Sequence, residues 1–257
     1  MNIDELLEAA TADFFWVPSH VQTVERPELA YSYSSSPSAE HNRVVRARPT
    51  LAEPAALVSE VAQAHRGVAS RWCLNPMSDT PTMRRALVDA GYVEGHRHIA
   101  YAIRATDYQR QPPPDVEIHQ VETVADLEIL YQLKENIFGY SPPLSDDDVA
   151  AELAACTGTS RRVARFIAYH RDEPAGTGGM TFFDELNFAL IWAGGVVEHH
   201  RGNGVYTTLL TARARTAVRH GIEILGLYAR TNTSAPIVAA HGFDEHGAMT
   251  YFEREEC

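Results

Sequence analysis

Gly195-Val196-Val197-Glu198-His199-His200-Arg201-Gly202-Asn203-Gly204-Val205-Tyr206 is the stretch on which the fold turns. The apolar run 188–197 that leads into it reads as a strand. The segment that leaves it, 205–220, sets Leu209, Leu210, Ala214, Ala217 and Val218 on one helical face, as core packing, and stops at Gly221. Strand, glycine-containing turn and helix in that order present backbone N–H groups at a helix N-terminus, and the glycines let a ligand approach closely. The product is a cradle for a diphosphate, with Arg201 as a fixed positive charge beside it. A P-loop would need Gly-Lys-Ser/Thr, but Thr207-Thr208 follows no lysine. A dinucleotide fingerprint would need a third glycine where Thr207 stands and a βαβ unit around it; neither is present.

Downstream of the helix come a strand over 224–230, a short helix, His241-Gly242-Phe243 and a strand over 249–253. Upstream lie a strand over 116–121, a helix over 125–138, a second helix opening at Ser145, and strands over 164–170 and 176–183. The three aspartates after Ser145 suit the positive end of a helix dipole. Pro112-Pro113-Pro114 marks a stiff linker and divides the chain into 1–109, 110–115 and 116–257. The first part reads as a helix from Ile3, a loop over 32–38, a strand over 41–49 and a helix over 53–65. A strand over 70–74, a helix over 81–90 stopped by Gly91, and a strand over 98–103 complete it. Strand, helix, Gly-aromatic and strand thus recur, once around Gly91-Tyr92 and once around Gly242-Phe243, which points to a duplicated fold.

In this order of elements, Arg201-Gly202-Asn203-Gly204-Val205-Tyr206 resembles the acetyl-CoA motif of the GNAT N-acetyltransferase superfamily, Gln/Arg-x-x-Gly-x-Gly/Ala. Tyr206 departs from it where a small residue is usual. The resemblance spans roughly 116–254 and implies an α+β GNAT fold, a mixed and mostly antiparallel sheet flanked by helices, in two tandem copies. It implies acetyl-CoA as cosubstrate, with transfer of its acetyl group to an amine by direct attack. Val196 and Val197 would meet the pantetheine arm. The N–H groups of Gly202, Asn203, Gly204, Val205 and Tyr206, with Arg201, would hold the diphosphate, and Asn232 would contact the pantetheine. The family's usual catalytic Tyr falls on Val238, which cannot donate a proton. Glu198 is then the expected base, with Ser234, Tyr228 or Tyr251, or a water, as candidate proton donors. Loss of that Tyr keeps open a protein that binds CoA without turning it over. The first copy is degenerate: Arg46-Ala47-Arg48-Pro49 stands where the phosphate turn would be, with no glycine and one donor removed by proline.

The 257 residues carry a net charge of −12, which argues against nucleic acid and favours a small, cationic amine. Cys73, Cys156 and Cys257 are odd in number and far apart, as expected of a reducing cytoplasm. No apolar run is long enough to span a membrane, and Asp4, Glu5 and Glu8 stand where a signal peptide would be basic and then apolar. No metal is expected. His199 and His200 are neighbours, and neighbours on a strand point to opposite faces, while His96 and His98 share a face without a Cys or carboxylate at ligand spacing.

Overall fold

The computed structural model describes residues 1–14, 17–139, 145–158 and 161–255; Cys257 lies outside them. In chain order the elements are α1 (Ile3–Thr11), β1 (Gln22–Glu25), β2 (Leu29–Tyr33), β3 (Arg43–Ala47), α2 (Pro54–Ala64), β4 (Ser70–Leu74), α3 (Pro81–Asp89) and β5 (Val93–Arg104). They continue with β6 (Val116–Gln120), α4 (Val124–Phe138), α5 (Asp146–Cys156), β7 (Val163–His170), β8 (Glu173–Phe183) and β9 (Phe188–Val196). The last are α6 (Val205–Arg219), β10 (Ile224–Arg230), α7 (Ser234–Ala240) and β11 (Asp244–Arg254). Two compact units result. Unit 1 is Met1–Tyr101, Tyr228–Ala240 and Asp244–Cys257; unit 2 is Ala102–Leu227 with His241–Phe243.

Unit 2 orders its strands β10-β9-β8-β7-β6, antiparallel except for the parallel pair β9–β10. Helices cover both faces. The bare Cα of Gly195 makes room for Ile137 and Phe138 of α4, and that of its neighbour Gly194 for Tyr206 and Arg213 of α6. Leu127, Leu130 and Leu133 of α4 pack with Ile167 of β7 and Val121; each buried leucine contributes about 1.5–3 kcal/mol. On α6, Leu209, Leu210, Ala214 and Ala217 are buried as expected, whereas Val218 is 46% exposed because it lies at the edge of the apolar stripe. Local signals set the helix starts. Thr123 and Asp126 form a capping box on α4, and Ser145 caps α5 ahead of Asp146, Asp147 and Asp148.

The β7–β8 connection is tighter than the sequence suggests. Arg171 and Asp172 both take left-handed backbone, φ 54° and 65°, so β8 starts at Glu173. Such a two-residue turn matches the twist of the strands it joins. Pro174 is accommodated opposite Tyr169, where the register shifts.

Unit 1 runs β1-β2-β3-β4-β11-β5, with α2 and α3 against a core of Trp72, Leu74, Met83, Leu87, Tyr92 and Phe252. The glycines of both echoed segments, Gly91 and Gly242, have positive φ, 84° and 88°. The compact units are not the contiguous segments 1–109 and 116–257. β11 pairs antiparallel with β4, from Thr250 opposite Leu74 to Arg254 opposite Ser70, and Phe252 completes the core around Trp72. The C-terminal strand is therefore part of the first unit.

Candidate functional site

Gly202 and Gly204 both adopt left-handed backbone, φ 82° and 74°, and Gly204 is the N-cap residue of α6. As a glycine it has no side chain to cap that helix, so the first-turn N–H groups point out of the turn, as an anion requires. A Cβ on Gly202 would meet nothing within 4 Å, whereas one on Gly204 would stand 2.7 Å from Pro113 Cγ. The proline linker thus packs against the turn, and the free space lies at Gly202. Arg201 is exposed and donates from Nε to Val196 O at 3.3 Å, leaving the rest of its guanidinium outward. Asn203 Nδ2 donates to His200 O at 3.3 Å and folds the turn onto itself.

β9 approaches this turn with an irregular edge. Gly179 faces Trp192 but Thr177 faces Gly195, so β9 carries an extra residue there, and Ala193 has a positive φ of 47°. Its pairing with β10 covers Phe188, Ala189 and Leu190 only. The backbone from Ile191 to Val196 is therefore past that ladder. Val197 differs from expectation: its N–H donates to Ala175 O at 2.9 Å and its carbonyl accepts from His200 N–H at 3.0 Å. With no spare N–H on Val197, Val196 and the bulge before it are the open part of the strand.

The ring of Tyr206, which replaces the usual small residue, turns against Gly194, with Cε2 3.1 Å from where a Cβ would be. Behind it lies Arg213, 1% exposed, its Nε donating to Leu209 O at 3.0 Å and its guanidinium 5.9 Å from the Tyr206 ring. Burial lowers the Arg213 pKa. Gly178 and Gly194 are bare because the guanidinium occupies the space of their side chains. The sequence reading missed Arg213, although a run such as Gly176-Thr177-Gly178-Gly179 inside a strand signals the close approach of something bulky.

Of the catalytic candidates, Glu198 lies in unit 2, exposed, in a single 3₁₀ turn over Glu198–His200. Tyr228, Asn232 and Ser234 belong to unit 1. Tyr228 is half-buried, and burial with nearby Asp4 raises the pKa of its hydroxyl, which keeps its proton. The Ser234 hydroxyl accepts from Arg230 N–H at 2.9 Å; Asn232 is exposed just before α7. Val238 is fully buried as a packing residue. One more carboxylate, Glu152, is buried but committed to Arg165 and to the Tyr131 hydroxyl.

His199 and His200 do not diverge. Their segment is a 3₁₀ turn, not a strand, and their ring centroids are 4.1 Å apart. His200 is buried and faces His170, Nδ1 to Nδ1, at 3.0 Å; His170 Nε2 is 3.2 Å from Asp115 Oδ2. On its other side, His200 Nε2 is 3.5 Å from Glu173 Oε2.

A mixed sheet, a bulged strand and an uncapped glycine turn define the GNAT class of fold. Residues 127–243 match the model of the Acetyltransferase (GNAT) family, whose general chemistry is acyl transfer. The chain is similar over 98% of its length to the GCN5-related N-acetyltransferase from Kribbella flavida, covering 96% of that protein at 14% identity and a TM-score of 0.73. It is similar over 100% of its length to a tandem GNAT protein from the clavulanic acid biosynthesis pathway, covering 88% of it at 13% identity and a TM-score of 0.64. A GCN5-related N-acetyltransferase from Sphaerobacter thermophilus matches 89% of this chain and 80% of its own, at 17% identity and a TM-score of 0.58. No curated protein sequence matches the chain. The chain therefore has the GNAT fold, α+β in two tandem copies, and residues 127–243 carry the match to the acetyltransferase family.

Proposed function

We propose that this protein is an N-acetyltransferase that binds acetyl-CoA at the turn 201–206 and acetylates a small, cationic amine. The observation that carries the reading is the turn itself: two left-handed glycines at the uncapped N-terminus of α6, with open space above Gly202. The N–H groups of Gly202, Asn203, Gly204, Val205 and Tyr206 hold the diphosphate, and Arg201 pairs with its oxygens. Val196 and the bulged edge before it align the pantetheine arm as a neighbouring strand would be aligned.

Acetyl-CoA supplies a thioester whose carbonyl carbon an amine attacks, with cleavage of the C–S bond. The chain's task is proton management. Glu198 is assigned the removal of the ammonium proton. The net charge of −12 attracts a cationic acceptor over a neutral one.

A second reading, a CoA-binding protein without turnover, is favoured by one observation, the buried Val238 in place of the usual Tyr. Thiol release from acetyl-CoA across a panel of di- and polyamines separates the two. Turnover above the rate without protein, lowered at least roughly 100-fold in Glu198→Gln, supports the enzyme with Glu198 as base. Acetyl-CoA binding with no thiol release for any amine supports the second reading.

A further inference from the structure

We propose that Glu173, His199 and His200 form a binding site for a divalent transition-metal ion of the zinc class. The tip of the β7–β8 hairpin brings Glu173, and the 3₁₀ turn after β9 brings both histidines. One ligand atom from each lies within 4.8 Å of the other two. The His200 Nε2 to Glu173 Oε2 separation, 3.5 Å, is close to the roughly 3.3 Å between neighbouring ligands of a tetrahedral zinc ion.

The hydrogen bonds behind His200 decide which of its atoms is offered. As a carboxylate, Asp115 accepts, so His170 Nε2 carries a proton and donates to it. With both imidazoles neutral, His170 Nδ1 is a lone pair and accepts from His200 Nδ1–H. That leaves the lone pair of His200 Nε2 facing a carboxylate oxygen of Glu173 at 3.5 Å, two acceptors side by side. A cation relieves the conflict. A proton would bridge only two groups, whereas a third ligand atom, from exposed His199, lies within 4.8 Å of the other two. Metal-bound histidines are characteristically held in this way, the second ring nitrogen donating into a chain that ends on a carboxylate.

Two imidazoles and one carboxylate suit zinc and leave a fourth position for water. His199 and His200 directly precede Arg201, so the ion clamps the hairpin tip to the start of the phosphate turn. The site is independent of the acetyl-transfer reading and is tested without it. Tag-free full-length protein is titrated with Co²⁺ alone and followed by visible absorption, then with Zn²⁺ in competition. The expected result is one equivalent of Co²⁺ with the intense d–d bands of a four-coordinate ion, displaced by Zn²⁺. His199→Ala and Glu173→Gln, both at exposed positions that leave folding intact, abolish the bands, and Asp115→Asn weakens binding about 10–100-fold. No Co²⁺ bands, the weak spectrum of hydrated Co²⁺, or bands unchanged in His199→Ala and Glu173→Gln would overturn the proposal; the first two outcomes leave a proton as the cation between His200 and Glu173.

Discussion

Gly202 and Gly204 share a left-handed backbone but serve different ends. Gly204 needs to be bare because Pro113 lies against it; at Gly202 the space is open, and the left-handed backbone alone favours glycine. Gly204→Ala therefore combines the left-handed cost, about 1–2 kcal/mol, with a clash, whereas Gly202→Ala carries the first term alone. Urea unfolding should show the larger loss for Gly204→Ala; equal losses would mean that Pro113 yields freely. Both glycines were legible in the sequence as a turn that opens a helix. Arg213 was not. An arginine amid Thr and Ala on a helix reads as a solvated charge, and only the fold shows it entering the space left by Gly178 and Gly194.

At the scale of elements, α6 and β9 fit each other around that buried guanidinium, whose Nη2 has no hydrogen-bond partner among the described residues. A buried donor without a partner costs about 1–3 kcal/mol, so an apolar side chain of similar length should do as well. Arg213→Met is expected to leave the unfolding free energy equal or higher, and Arg213→Ala to lower it by about 2–5 kcal/mol through the cavity left behind. Thermal and urea unfolding decide it; a Met variant as unstable as the Ala variant would show that the charge itself is needed. The strand–turn–helix order was readable because hydrophobic period and glycine stops agree along 188–221. The histidine pair was misread for a local reason. The alternation rule holds only while the strand lasts, and the strand ends at Val196, before Glu198 begins its 3₁₀ turn. The pairing of β11 with β4 could not be read from the sequence at all, because residues so far apart leave no periodic signal of their partnership.

At the scale of the molecule, two histidines set part of the response to acid. His65 and His98, both in unit 1, have pKa values lowered from 6.5 to about 4, chiefly by burial. His65 is fully buried, with Nε2 2.8 Å from Ser32 O. Neutral when folded, both bind protons on unfolding below about pH 6.5, so their contribution is complete above that pH and lost as pH falls toward 4. His65 alone accounts for up to about 3 kcal/mol of that loss. The urea midpoint of the whole chain should fall between pH 7 and 4.5, less steeply in His65→Gln; a parallel fall in that variant would exclude His65 as the source. The charge of −12 that argues against nucleic acid does not oppose a diphosphate, because backbone N–H groups and Arg201 need no basic surface. No helix among the described residues is long and apolar enough to cross a membrane. The account rests most directly on calorimetric titration of acetyl-CoA into the full chain and its Arg201→Glu variant. One site per chain is predicted, weakened at least roughly 10-fold in the variant with its thermal midpoint unchanged, since a charge-assisted hydrogen bond contributes about 1.5–3 kcal/mol. No binding by the folded wild-type chain, or equal affinity in the variant, would contradict it.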